Sequence, residues 1–322
     1  MGHLLLEPFE SAYMQRALVE AVLLGVFGGV LGVYVVLRHL AFISDALTHT
    51  VFPGIAVAFL LDASLYLGAF VAGALSAVLL TVLTRNRRVN DDAALAVLLT
   101  AFFSVGVVIV SRSESFTADL TALLFGRILA VSTTDIVQTA VTMVVVLAVL
   151  AVLHKELILR AFSPESARAM GYRTDVIDLV LNLLITLFVV AAVKAVGTVL
   201  VIALVITPAA AAQLWGRSIR SMMVIAAAIG VLSGWIGLVV SYRASVDHDL
   251  RLASGATIVL VMTVVFVVAL GARKALDLVR ARRPAAGPGR GRGPAGDGAG
   301  DGDEPDPALV VAVTGPDPGT VG

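Results

Sequence analysis

The chain has 322 residues, of which 59% are hydrophobic and only 14% charged, and its formal net charge at pH 7 is zero. Soluble domains carry about 25% charged residues, so the composition excludes an ordinary soluble domain and predicts an all-α, polytopic membrane protein. A net charge of zero excludes bulk electrostatic attraction to nucleic acid as the main activity. The chain has no cysteine, which excludes disulfides and thiolate metal sites within it.

Apolar segments of spanning length, about 20 residues each, follow one another along the chain. We place them at 17–37, 41–61, 64–83, 93–111, 135–153, 176–194, 195–214, 221–241 and 254–271. Because the second and seventh segments contain Pro53 and Pro208, either can be a half-helix, and the prediction is eight or nine transmembrane helices with no soluble globular domain. With nine spans and loop 84–92 in the cytoplasm, most of the 23 Lys and Arg residues fall on the cytoplasmic side, as the positive-inside rule requires.

Residues 1–16 are then an outer N-terminal segment. This segment carries Glu7 and Glu10 and lacks the basic region of a signal peptide, so the first helix is expected to stay in the protein. That helix contains two interleaved small-xxx-small pairs, at Gly25, Gly28, Gly29 and Gly32. Such pairs allow helix backbones to approach closely in lipid.

The second apolar segment contains two polar side chains that can bind a metal, Asp45 and His49. If the segment is helical, their spacing of four residues puts both on one face. Pro53 and Gly54 follow one turn later and predict a helix break, because Pro53 removes a backbone donor and clashes with the carbonyl of His49. A carboxylate and an imidazole are costly in lipid, so we expect them to face a bundle interior or an aqueous path. The pattern predicts a translocation site; the alternative is two satisfied polar residues at a helix end.

The cytoplasmic connection contains a short capped segment at 163–171. Ser163 is at a predicted N-cap, Pro164 is at the first helical position, Glu165 is in the first turn and Gly171 is the stop. This pattern predicts a two-turn helix between two membrane spans. Such a helix is either a surface helix without a partner or a mechanical coupling element.

The character of the chain changes after Gly271. Residues 273–283 form a basic juxtamembrane segment that should lie along anionic membrane lipid. Residues 284–322 are rich in Gly, Pro, Ala and Asp and are predicted to be a disordered tail, because they cannot bury enough apolar surface to fold. No G-x-x-x-x-G-K-[ST] phosphate loop occurs in the sequence. If ATP drives transport, another polypeptide must hydrolyse it.

The stretch 42–54 resembles the signature of the manganese/zinc/iron (ABC-3) permease family, the membrane subunits of bacterial metal-uptake ABC importers. The stretches 163–171, 196–212 and 254–260 agree with the same family in order and spacing. The similarity covers about residues 15–272 and marks 17–272 as a permease domain of this type. Small exchanges depart from the family pattern at Ser44, Thr48, Thr50 and Ser163.

The resemblance implies a multi-pass permease in the bacterial cytoplasmic membrane that is not itself an enzyme. It implies three partners: cytoplasmic ABC ATPase subunits, an extracytoplasmic metal-binding protein, and a second permease chain that is identical or different. Asp45 and His49 match the metal ligands of the family's second-helix motif, and segment 163–171 matches its coupling helix. The coupling residues in this chain are Pro164, Glu165, Ala167 and Gly171.

No tightly bound cofactor is expected; the transported cargo is a divalent zinc, manganese or iron ion. Two chains would supply two carboxylates and two imidazoles, a mixed ligand set that suits such borderline ions. Two other functions remain open. One is an ion-driven secondary metal transporter, and the other is an ABC permease for a metal chelate such as a siderophore.

Overall fold

The computed structural model describes residues 7–85, 91–111, 126, 128–248 and 252–281. Every regular element in these ranges is helical, which confirms the predicted all-α fold. Two short 3-10 helices span Glu7–Glu10 and Ile128–Ala130. The α-helices are α1 Ala12–Leu37, α2 Ala41–Thr50, α3 Phe52–Leu60, α4 Leu65–Arg85, α5 Asp91–Val110, α6 Thr133–Val152, α7 His154–Phe162, α8 Pro164–Ala169, α9 Thr174–Trp215, α10 Ile219–His248 and α11 Ser254–Ala281.

Some boundaries differ from those predicted from hydrophobicity. Helix α1 begins at Ala12, within the predicted outer segment 1–16, and α10 continues beyond the predicted end at 241 to His248. Helix α11 runs through to Ala281 and so includes most of the basic segment 273–283. Hydrophobicity marks where lipid ends, whereas backbone hydrogen bonding continues past that point. The predicted tail at 284–322 lies outside the described residues.

Eight stretches of the described chain are long and apolar enough to cross a membrane, and α9 is the longest of them with 42 residues. A straight helix of that length would measure about 63 Å, whereas the hydrocarbon core of a bilayer is about 30 Å thick. Helix α9 is interrupted at Gly197, which has φ 77° and ψ 164°. A side chain would be strained in this conformation, so glycine is suited to the position.

Helix α9 folds back on itself at Gly197. Asp178, near its start, bonds Arg38 at 2.5 Å, and Ala209, near its end, packs in one buried cluster with Val33. Asp178 and Ala209 would lie about 46 Å apart along a straight helix, yet Asp178 contacts the residue directly after α1 and Ala209 packs with Val33 in the last two turns of α1. In the part of the chain that the structure describes, the helices therefore make nine passes, with the predicted segments 176–194 and 195–214 as two of them.

Helix α1 lies at the centre of the bundle and packs against α6, α9 and α10. Two of its glycines face α10: a Cβ at Gly25 would lie 2.8 Å from the backbone of Gly230, and one at Gly29 would lie 2.7 Å from that of Ala226. Two others face α9, where a Cβ at Gly28 would lie 3.1 Å from the ring of Phe188. The predicted packing role of the glycine pairs is confirmed.

The close approach at Gly29 predicts a stability effect. Gly29→Ala should lower the free energy of unfolding by about 1–3 kcal/mol, the usual cost of overpacking, because the backbone of α10 cannot move aside as a flexible side chain would. The matched control is Gly271→Ala on α11, where a Cβ would meet no heavy atom within 4 Å. The measurement is the temperature at which the detergent-extracted protein loses its monodisperse elution peak. Equal melting of the two variants would contradict the packing assignment.

Candidate metal site

A tight turn places the start of α2 directly after α1. The N–H of Leu40 donates to the carbonyl of Val35 at 2.9 Å, and the N–H of His39 donates to that of Val36 at 3.1 Å. This pair of bonds is a Schellman motif, with His39 in the left-handed region at φ 57°. The chain therefore reverses within three residues, and α2 runs back into the membrane.

The second segment is interrupted where Pro53 predicts a break. Helix α2 ends at Thr50, α3 begins at Phe52, and Pro53 lies in the first turn of α3. The carbonyl of His49, for which Pro53 has no donor, accepts from the backbone N–H of Val51. Gly54 lies against α4, where its backbone approaches that of Gly68. The interruption therefore falls directly beyond His49.

Asp45 and His49 lie on the same face of α2, with 3.8 Å between Nε2 of His49 and Oδ1 of Asp45. Their side chains are 44% and 35% exposed, respectively, whereas Ser44 and Thr48, each turned about 100° around the helix from the pair, are 1% and 2% exposed. The sequence predicted a bundle interior or an aqueous path for the pair; the structure places it on the outer surface of the single chain. The spacing of four residues correctly predicted that Asp45 and His49 share one face of α2. The direction in which that face points follows from how α2 packs on α5 and α9.

An aromatic residue of α5 flanks the pair. The ring of Phe103 meets His49 edge-on, with 6.4 Å between ring centroids, and also contacts Phe52 at 5.7 Å. Among the described residues, no group of three or more His, Cys, Asp or Glu side chains is placed to hold a metal ion. One chain thus presents two ligands on an open face.

The segment predicted to couple to an ATPase contains helix α8. Ser163 precedes α8, but its hydroxyl donates to Oγ of Ser166 at 2.6 Å and makes no capping bond to the backbone. Gly171 has φ 86°, and its N–H donates to the carbonyl of Arg168 at 3.0 Å, which ends the helix. The helix is therefore closed by its glycine rather than by a serine cap.

The residues of this segment differ in exposure. Glu165 and Gly171 are exposed and Pro164 is half-buried, and Met170 at the end of α8 is 67% exposed. Ala167 is 0% exposed, so it anchors α8 to the rest of the chain and does not reach the surface.

Three polar clusters were missed by the sequence reasoning. The hydroxyl of Thr139 donates to Oε1 of the fully buried Glu20 at 2.9 Å. Lys194 bonds Asp135 at 2.5 Å. Asp178 accepts from both Arg38 and Arg160. The sequence feature that could have predicted these clusters is the presence of ionisable residues inside or beside apolar segments. Such residues are rare there without a structural or functional reason.

The nine passes and the open carboxylate–imidazole pair define an all-helical, polytopic membrane protein with the features of a transport subunit. The chain belongs to the ABC 3 transport family, whose sequence profile matches residues 10–273.

Two curated relatives show what the chain is similar to. It is 38% identical over 258 residues to the manganese transport system membrane protein MntC of Halalkalibacterium halodurans, covering 80% of this chain and 86% of the relative. It is 36% identical over 267 residues to the chelated iron transport system membrane protein YfeD of Yersinia pestis, covering 83% and 88%. Among solved structures, PsaBC from Streptococcus pneumoniae in complex with a Fab superposes with a TM-score of 0.75 at 30% identity, covering 87% of this chain and all of that one.

Proposed function

We propose that this chain is the permease subunit of an importer that carries a divalent transition-metal ion, with manganese as the first candidate, across the bacterial cytoplasmic membrane. The observation that carries the proposal is the Asp45–His49 pair on the open face of α2. The manganese assignment is supported by the 38% identity to MntC, a manganese transport system membrane protein.

The chemistry of the pair suits such an ion. Carboxylate oxygen and imidazole nitrogen bind manganese, zinc and iron(II), whereas soft thiolate ligands, which favour zinc and copper(I), do not occur in this chain. The two ligands of one chain are too few to replace the water shell of a divalent ion. A site with only a few ligands in all nevertheless binds weakly enough to release the ion, which conduction requires.

A second permease chain would complete the site. A half-exposed carboxylate and imidazole facing lipid would be costly, and a second copy or a related chain packed on this face of α2 would cover them. Pairing would bring two Asp–His pairs together and provide four mixed ligands. The exposed ring of Phe42, 74% accessible and one turn before Asp45, belongs to the same face.

The energy source in this proposal is a separate cytoplasmic ATPase. The chain has no phosphate loop, and α8 presents exposed residues at the end of the bundle where α1 ends and α9 begins. An extracytoplasmic metal-binding protein would deliver the ion to the opposite side. The chain itself then has no catalytic residue and holds its metal only in transit.

A second candidate substrate is chelated iron. The observation in its favour is the 36% identity to YfeD, which is named for chelated iron. A chelate needs no protein ligands, because its iron is already coordinated. A ligand pair at Asp45 and His49 favours a bare ion over a chelate.

The test is transport by the reconstituted complex. The chain is co-expressed with its ATPase and second permease, placed in liposomes with ATP and metal-binding protein, and assayed for accumulation of radiolabelled manganese. Competition with zinc, iron(II) and a ferric chelate ranks the substrates. Accumulation that follows a proton or sodium gradient without ATP, or competition by the chelate alone, would contradict the proposal.

A further inference from the structure

Three charged side chains join separate elements at the end of the bundle where α8 lies. Nη2 of Arg38 bonds Oδ1 of Asp178 at 2.5 Å, and Nη2 of Arg160 bonds Oδ2 of the same carboxylate at 2.9 Å. The side chains of Arg38, Arg160 and Asp178 are only 7%, 18% and 26% exposed. One carboxylate thus holds two largely buried guanidinium groups, one with each oxygen.

The cluster depends on Asp178. Burial lowers the pKa of Arg38, and the charge and hydrogen bond of Asp178 oppose that shift. Nη1 of Arg38 and Nε of Arg160 are buried without a hydrogen-bond partner in the described chain. Without Asp178, both cations would lose their carboxylate, and a buried charge without a partner is strongly unfavourable.

The two arginines lie beside the two elements that an importer has to connect. Arg38 directly follows α1 in the tight turn before α2, seven residues before Asp45. Arg160 lies in the last turn of α7, directly before α8 begins at Pro164. Asp178 therefore links the turn that precedes α2 to α7, the helix that leads into α8.

The α7–α8 segment is also fastened at its two ends. At its start, the hydroxyl of Tyr34 on α1 shares a hydrogen bond of 2.6 Å with Nδ1 of His154. At its end, Nε of Arg168 donates to Oγ1 of Thr174 at 3.2 Å, where α9 begins. A displacement of α8 would therefore be transmitted to α1 and α9 through these bonds.

A polar cavity of about 340 Å³ opens beside the cluster. Its lining includes Arg38, Arg160 and Asp178, together with Leu40 and Ile43 at the start of α2. The cavity gives the charged groups room to rearrange next to α2, which a fully packed interface would not.

We propose that Asp178 is a positioning residue that transmits movement of α8 to α2, and through α2 to Asp45 and His49. This inference rests on the proposed function, since it assumes that α8 receives the motion of an ATPase. Asp178 acts on the metal ligands through Arg38 and the turn that follows it, in addition to the direct packing of α9 on α2. Its role is to keep ATP hydrolysis and ion movement in step.

The test compares uptake with ATP turnover in the complete complex. Asp178→Asn should lower the metal transported per ATP hydrolysed by about tenfold, within the range usual for coupling between sites, while ATP turnover continues. Asp178→Glu should recover most of the coupling because it keeps a carboxylate. The control is Asp277→Asn, which removes the same charge from an exposed pair with Arg273 on α11 and should change neither quantity.

A second variant tests the same inference if the complex with Asp178→Asn assembles poorly. Arg160→Gln removes the link to α7 but retains the bond between Arg38 and Asp178, and it should lower the same ratio. A wild-type ratio in Arg160→Gln and Asp178→Asn would overturn the inference. So would a parallel fall of uptake and ATP turnover, because a purely structural role reduces both in proportion to the amount of complex.

Asp45→Ala is measured alongside to separate this inference from the proposed function. Loss of uptake in Asp45→Ala with normal coupling in the Asp178 and Arg160 variants would overturn only the transmission role. Normal uptake in Asp45→Ala would overturn the metal site, whatever the other variants show.

Discussion

Replacing Asp45 or His49 by alanine is expected to reduce metal uptake by about 10–100-fold or more. Removing a residue that only hydrogen-bonds to a metal ligand usually costs that much, and loss of a ligand itself should cost no less. Each chain offers only these two ligands on the open face of α2, so either substitution halves its contribution to the site. The remaining ligand cannot replace the water that a divalent ion must shed. The measurement is radiolabelled metal uptake into cells at equal membrane expression.

The control for these variants is Asp277→Ala, which removes an exposed carboxylate on α11 with no part in the site. Uptake near wild type in both Asp45→Ala and His49→Ala would contradict the site assignment. His49→Cys gives a sharper reading, since a thiolate favours zinc over manganese. The ratio of zinc to manganese uptake should rise in this variant, and an unchanged ratio would show that the ion does not contact position 49.

Reversing the surface of α8 is expected to release the ATPase. The double variant Glu165→Lys with Met170→Asp changes two exposed positions of the segment. The affinity between the permease and the ATPase should fall by about tenfold or more, corresponding to about 1.4 kcal/mol. At position 170 a charge replaces an apolar side chain, and at position 165 the charge changes sign. Co-purification of the ATPase with the tagged permease measures the loss.

Ala167 is unsuitable for that experiment, although it belongs to the same segment. Its side chain is fully buried, so an aspartate there would disturb the packing of α8 and not its outer surface. The matched control is Arg220→Glu, a charge reversal at an exposed position near the start of α10. Retention of the ATPase by the α8 variant, or equal loss in the control, would show that α8 is not the docking element.

Local features of the sequence sufficed for the class of protein and for most of its passes. Segment length and hydrophobicity depend on the chain's own residues and on the bilayer thickness, so nine apolar segments predicted eight or nine passes without knowledge of their packing. The same holds for the pair at Asp45 and His49, because a separation of four residues puts two side chains on one face of any helix. The glycine spacings at Gly25 and Gly29 likewise marked a close helix contact, though not its partner α10.

The packing of segments that are distant in sequence determined the direction of each helix face and the partners of each side chain, which residue spacing does not specify. The face that carries Asp45 and His49 points outward because α2 buries its other side against α5 and α9, and no pattern within α2 records that choice. Ala167 is buried for the same kind of reason. The links of Asp178 to Arg38 and Arg160 join positions separated by 140 and 18 residues. Helix and span signals repeat over a few residues, whereas these contacts exist only once the start of α9 has packed beside the end of α1 and beside α7.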